Sequence, residues 1–351
     1  MPTKSYVIWN NKGGVGKSTI SFHIASVFAE NNPDKDIVVI DMCPQANLSM
    51  MLLGGGKNGE THLQELISED IPKTIVGFLT EQILKGDSVD SNKFLINLSE
   101  RNSNLSSNLF LLSGDGNLEL IAPLLSERAD ATPLTVNDNP WVNIHMIIRS
   151  LTKKRINSER ECVYFIDTNP SFSIYTQIAI LGADFLLVPI NADDSSIFAI
   201  TGLFNLIWGT NTPHPVYGKY TFASKVDEFK LSRPKIAYLL GNRFTQKAGA
   251  AHAFKALSIE ATVKMYEEYK KDSSHFQKYT PATISSQEDF ETNFTIELRD
   301  FNSAGVVAAN QGLPLSKMDK HTYEVYGNLI QVSKEQRELC KETVVNLVGK
   351  L

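Results

Sequence analysis

Residues Lys12 to Thr19 read Lys-Gly-Gly-Val-Gly-Lys-Ser-Thr, and no other stretch constrains the fold as tightly. The apolar run Tyr6-Val7-Ile8-Trp9 stands just before them and reads as a strand. Residues 20–29, just after them, carry apolar side chains at helical spacing. A glycine-rich turn between strand and helix is a phosphate cradle. The glycines let the backbone approach closely, and the amides at the helix N-terminus point at the anion.

The general phosphate-loop pattern, G-x-x-x-x-G-K-[ST], would need glycine at position 11, where this chain has Asn11. The narrower pattern K-G-G-x-G-K-[ST] fits, and Asn10 extends it to N-x-K-G-G-V-G-K. On these residues the chain resembles the ParA/MinD family of deviant Walker A ATPases, and within it the ParA-type partition ATPases. The loop itself suggests roles. Gly13, Gly14, Val15 and Gly16 wrap the phosphates, Lys17 lies along the β- and γ-phosphates, the Ser18 hydroxyl ligates Mg²⁺, and Thr19 sits beside the phosphates. The resemblance adds a role for Lys12, the family's signature lysine. It implies a reach across a dimer interface to the partner's nucleotide, so that ATP glues two subunits and hydrolysis releases them.

Two further segments carry the resemblance. Val38-Val39-Ile40-Asp41-Met42-Cys43-Pro44-Gln45-Ala46-Asn47 matches D-x-D-P-Q-[GA]-N at every fixed position except the second Asp, which is Cys43. Asp41 ends a strand beside the phosphates and is expected to hold Mg²⁺ through water. The resemblance implies that the missing Asp positions the attacking water. A protonated thiol is a poor acceptor, so Cys43 reads as a brake on hydrolysis, as drift compensated by another group, or as a reactive thiol activated by Lys12 and Lys17. Cys162-Val163-Tyr164-Phe165-Ile166-Asp167-Thr168-Asn169-Pro170-Ser171 resembles the family's second acidic strand, with Asp167 as the Mg²⁺-water ligand. The family has D-x-P-P-S there; Asn169 replaces the first proline. Asn242, at the end of a later apolar run, is a candidate adenine reader or a turn residue. The resemblance is specific over about residues 5–50 and 160–190, loose from 235 to 351, and absent over about 55–160.

Apolar strands at 5–10, 36–41, 109–112, 162–167, 184–190 and 235–241 alternate with helices at 18–31, 73–85, 115–127, 141–151, 173–182, 195–208, 252–270 and 321–348. That order predicts an α/β fold, a doubly wound, mostly parallel sheet flanked by helices. The expected organisation is one ATPase domain over 1–351, with insertions near 54–160 and 210–234. The run Gly54-Gly55-Gly56-Lys57-Asn58-Gly59 reads as a flexible loop.

Composition excludes several classes. A net charge of −5 provides no global field for nucleic acid or anionic membrane, so any DNA contact needs a local patch. Candidates are Arg149, Lys153, Lys154, Arg155 and Arg160, then Lys247, Lys255, Lys264, Lys270, Lys271 and Lys278; the later set interleaves with acids, as a solvated helix face does. Cys43, Cys162 and Cys340 are isolated, which fits a reducing cytoplasm and neither a disulfide frame nor the paired cysteines of an iron–sulfur relative. No leader or membrane span is expected, and the apolar residues of 335–351 fit core packing better than a membrane anchor. The resemblance implies cofactors ATP and Mg²⁺, an ATP-bound homodimer, a ParB-like adaptor and nonspecific nucleoid DNA. A nucleotide-gated scaffold with little turnover is the rival that Cys43 raises.

Overall fold

The computed structural model describes residues 3–136, 138–157, 159–191, 195–210, 214–244, 248–278 and 284–351, with side chains at all of these except 87, 242–244 and 248–259. The chain runs β1 (Lys4–Ile8), α1 (Lys17–Asn31), β2 (Asp36–Met42), α2 (Asn47–Leu52), α3 (Gly56–Ile67), α4 (Ile75–Lys85), β3 (Ile96–Asn97), β4 (Leu109–Leu112), α5 (Leu118–Ala129), α6 (Pro140–His145) and α7 (Ile147–Thr152). It continues through β5 (Cys162–Thr168), α8 (Ile174–Leu181), β6 (Phe185–Asn191), α9 (Ser195–Trp208), α10 (Phe222–Glu228), β7 (Lys235–Phe244), α11 (Ala248–Lys271), α12 (Gln287–Phe294), β8 (Thr295–Arg299), α13 (Asn302–Gln311), β9 (Thr322–Val325), β10 (Asn328–Gln331) and α14 (Lys334–Lys350). Eight strands form one sheet in the order β3-β4-β2-β5-β1-β6-β7-β8, parallel except for the β3–β4 pair. This is the doubly wound class expected from the strand–helix alternation.

Successive side chains of a strand point to opposite faces, and helices cover both faces here. Tyr6, Ile8, Ile37, Val39, Val163 and Phe165 therefore enter one core, and Val7, Val38, Ile40, Tyr164 and Ile166 enter the other. Strand order places β1 between β5 and β6, so connections leave the central strands in opposite directions. A crevice opens at the carboxyl ends of β1, β2 and β5, the switch point where such sheets bind ligands.

Four expectations are corrected. Residues 321–348 are not one helix. The antiparallel pair β9–β10 occupies the first part, joined by Tyr326 and Gly327, both at positive φ (48° and 76°), as a primed hairpin turn requires. Helix α14 starts only after Ser333, whose hydroxyl accepts from Gln336 N. The 141–151 helix is two short helices that meet at Met146. Residues 54–59 are not a loose loop, because α3 begins at Gly56. A Cβ at Gly55 would lie 2.3 Å from Gly312 N, so glycine there lets the backbone seat against the end of α13. Strand β8 was missed. Its five residues alternate, with Ile296 and Leu298 buried and Glu297 exposed, but the run is short.

The 54–160 stretch supplies β3 and β4 to the main sheet, and α10 lies inside the 210–234 connection. Helix α14 buries Cys340, Val344, Leu347 and Val348 against the same core as α1. Tyr6 donates to the Leu351 carbonyl at 2.6 Å, tying the chain's last turn to β1. No helix among the described residues is long and apolar enough to cross a membrane.

Candidate nucleotide site

The turn after β1 is built to receive an anion. Gly14 and Gly16 sit at φ 70° and 80°, where a side chain would be strained. Gly16 caps α1, no side chain caps that end, and no acid lies in the first turn. The first amides of α1 therefore stay available to a phosphate. Asn10 braces the turn from behind. Its Nδ2 donates to Pro189 O at 2.7 Å, and its Oδ1 accepts from Lys12 N at 3.1 Å.

Lys17 folds back over this turn. Its ammonium donates to Lys12 O (2.9 Å) and Asn10 O (3.2 Å). Burial pulls its pKa down, while the charges of Asp167 and then Cys43 pull it up. Ser18 Oγ donates to Asp167 Oδ2 at 2.7 Å, and Ser21 Oγ, one turn further along α1, donates to Asp167 Oδ1 at 2.8 Å. Burial raises the Asp167 pKa, with the charge of Asp41 second; Ser18, Ser21 and Lys17 oppose the shift.

Asp41 is the parallel partner of Asp167 in the β2–β5 register, and both are fully buried. Its oxygens are taken up differently. Oδ1 accepts from Cys43 N (3.0 Å), and Oδ2 accepts from Ser49 N (2.9 Å) and Ser49 Oγ (2.7 Å). Gly114 closes the far side, where a Cβ would meet the carboxylate at 2.9 Å. Its burial also raises its pKa, against the hydrogen bonds from Ser49 and Cys43.

A cavity of about 590 Å³ opens over the loop, lined by every residue from Gly13 to Thr19. Cys43, Gln45 and Asn47 line one wall, and Thr168, Asn169 and Pro170 line another. Met50, Met51, Gly56, Glu60, Ala309 and Tyr326 complete it. Lys12, Asp41 and Asp167 are not in the lining. The Asn242 side chain lies outside the described residues. Sequence reading missed Ser21 and Ser49, which hold the two carboxylates, and the contribution of the β9–β10 hairpin. Ser21 stands four residues after Lys17, one helical turn on, which was a usable signal.

The donor set fits a divalent cation. Ser18 and Asp167 are hard oxygen ligands, and the two neighbouring buried carboxylates carry repulsion that a cation would relieve. Among the described residues no three His, Cys, Asp or Glu side chains converge as a metal site. Mg²⁺ suits such a place, because it is held by one or two protein oxygens together with phosphates and water.

Cys43 is 6% exposed, and burial together with the charges of Asp41 and Asp167 pushes its thiol up to about 12. The reactive-thiol reading is thereby corrected, since Lys17 pulls the other way with the weakest effect. Among the described residues the histidines offer no ligand set. His23 is buried between Phe22 and Phe301, its ring centroid 4.7 Å from that of Phe301, and burial pushes its imidazole down to about 3.

Residues 3–119 match the family model described as an AAA domain. No curated protein is a significant match. Solved structures share the fold along the whole chain. A Borrelia burgdorferi B31 protein described as a plasmid partition protein, bound to AMPPNP, is 18% identical with a TM-score of 0.52, covering 100% of each chain. An ATP complex of a Cyanothece McdA variant is 16% identical with a TM-score of 0.58, covering 99% of this chain and 96% of that one. The pnob8 ParA is 15% identical with a TM-score of 0.58, covering 99% and 97%. The chain thus has the P-loop fold of ParA-type proteins.

Proposed function

We propose that this chain, which has the ParA fold over its length and a phosphate loop in its first third, is a ParA-like ATPase acting as a single domain over residues 1–351. It binds Mg-ATP through Gly13–Thr19, with Ser18 and Asp167 at the metal and Asp41 behind them. It closes into a sandwich dimer through Lys12, and it serves plasmid or chromosome partition, or cargo positioning, in the cytoplasm. A ParB-like adaptor and nucleoid DNA are the partners this reading implies. The observation that carries it is the Ser18–Asp167 hydrogen bond at 2.7 Å beneath an open loop whose α1 amides have no side-chain cap.

Measuring light scattering and phosphate release with Mg-ATP and with Mg-ADP tests it. An ATP-dependent dimer, lost in Lys12→Ala while nucleotide still binds, is expected. A protein that stays monomeric with ATP overturns the dimer switch.

Two observations favour a second reading, a nucleotide-gated scaffold that turns ATP over slowly. The protonated Cys43 thiol stands where the resemblance puts a water-positioning Asp. Several basic candidates for DNA are also already paired. Arg149 and Lys153 both reach Asp184 at 2.8 Å, Arg160 reaches Asp36 at 3.0 Å, and Lys264 and Lys271 reach Glu268 at 3.3 and 2.7 Å. Lys247 and the Lys255 side chain lie outside the described residues. DNA binding that requires ATP and falls steeply with salt would favour the partition reading.

A further inference from the structure

Asn169 occupies a place where the resemblance puts proline, and it is wired into a directed hydrogen-bond chain. It lines the cavity two residues beyond Asp167 and beside Pro170, whose ring lies 3.9 Å from the Cβ position of Gly13. Its Nδ2 donates to Tyr175 Oη at 3.0 Å, and Tyr175 Oη donates to Glu119 Oε1 at 2.8 Å. Its Oδ1 accepts from the buried Thr176 hydroxyl at 2.9 Å.

These bonds fix which way the amide faces. A phenol has one proton, and the Glu119 carboxylate can only accept, so Tyr175 must give its proton to Glu119. Tyr175 can then only accept from Asn169. A flipped amide would set its carbonyl oxygen against the phenol oxygen with no proton between them. The Asn169 oxygen is therefore held by Thr176 and Ser171, one N–H is spent on Tyr175, and the second N–H of this cavity-lining residue is left for a ligand. Tyr175 is 1% exposed, so water does not compete at the phenol, while Glu119 at the end of the chain of bonds is exposed.

We propose that Asn169 is a specificity-determining residue that donates its second amide N–H to the terminal phosphate of a bound nucleoside triphosphate, with Tyr175 and Glu119 as positioning residues that hold the amide for it. The inference rests on the nucleotide-binding reading above. A diphosphate lacks the group contacted, so the contact separates the two nucleotide states. The wiring carries that difference to Glu119 in the first turn of α5.

The test is calorimetric titration of the full chain with Mg-AMPPNP and with Mg-ADP. A charge-assisted hydrogen bond supports an expected loss of about 10-fold in AMPPNP affinity for Asn169→Ala, with ADP affinity unchanged. Asn169→Asp, nearly isosteric but unable to donate, should lose more. Tyr175→Phe and Glu119→Gln, which leave the cavity wall intact, should each lose about 3-fold of the same preference. Unchanged ADP affinity reports that each variant is folded and that the loss is not general. If Asn169→Ala leaves the AMPPNP-to-ADP ratio at the wild-type value, or weakens both nucleotides equally, the proposal fails. A wild-type protein that binds neither nucleotide sinks the underlying reading instead, a distinct result.

Discussion

Asp41 and Asp167 end neighbouring strands at the same register, and both are fully buried, yet they face different neighbours. The chain after β2 turns back at once. Ala46, at φ 49°, starts α2, and the amides of Cys43 and Ser49 return onto Asp41. The chain after β5 runs on through Asn169 and Pro170, and Asp167 takes the hydroxyls of Ser18 and Ser21 instead of returning amides. Strand length places a carboxylate, but the following loop decides whether it braces the backbone or serves a ligand. On this comparison Asp41 is held by backbone amides, and Asp167 only by hydroxyls that the proposed metal could share.

The harshest way to break the comparison is to remove the cation. Lys17 lies over the loop on Lys12 O and Asn10 O, and the charge of Asp167 raises its pKa against burial. Lys17→Ala should weaken ATP binding at least about 100-fold, the scale of losing a charge-assisted contact in the cradle. Calorimetry checks it, and an unchanged affinity would remove the loop from the site.

Paired carboxamide substitutions sharpen the contrast. Asp41→Asn replaces one oxygen with a group that cannot accept from the Cys43 and Ser49 amides, leaving a buried donor unmet. A stability loss of about 2–3 kcal/mol is expected, with nucleotide affinity shifted less than about threefold. Asp167→Asn should do the reverse. Mg²⁺-dependent affinity should fall about 10-fold, while denaturant midpoints hold or rise because a costly buried charge is gone. Denaturation curves beside titrations with and without Mg²⁺ decide. Equal stability losses in both variants would erase the distinction.

Much of this was legible in the chain, and the reasons are local. The phosphate loop declares itself within eight residues, and Asp41 and Asp167 stand at the ends of runs buried on both faces. What escaped depends on distant parts. Asp41 faces inward because of Ser49 and Gly114, and Gly114 lies 73 positions further along the chain than Asp41. Gly55 looked like slack, since its neighbour Gly312 comes from the other end of the sequence. The β9–β10 hairpin was hidden because each strand is only four residues long, and Tyr326-Gly327 is not a common primed-turn pair. The direction of the Asn169 amide was out of reach, because it is set by Glu119 on another helix.

A third carboxylate tests the pair directly. Cys43→Asp restores an acceptor at the cavity wall, where the present thiol stays protonated. Hydrolysis should rise by about 10-fold. That is below the usual range for acid–base groups, because phosphoryl transfer depends mainly on positioning and charge stabilisation. Single-turnover phosphate release under saturating Mg-ATP reads it. If wild type is already as fast, another group holds the water.

The smallest effect concerns the proton that the pair retains. Burial, and then the charge of Asp41, raise the pKa of Asp167 above the ordinary carboxylate value of about 4. A carboxylate raised in this way binds its proton more tightly in the native state than in the unfolded chain. Its contribution to the stability of the nucleotide-free protein is therefore full at low pH and is lost as pH rises through the raised value. A divalent cation needs the ionised form, so metal binding must displace that proton. The Mg²⁺-dependent part of nucleotide affinity should thus strengthen as pH rises from the carboxylate range toward neutrality, with less than one proton released per site. Titrating preformed Mg-AMPPNP in two buffers of different ionisation enthalpy counts that proton. Subtracting the same titration of Asp167→Asn removes the proton that the nucleotide itself contributes. Proton release identical in the two proteins would mean that Asp167 is already ionised before the metal arrives, and that Asp41 does not hold its pKa up.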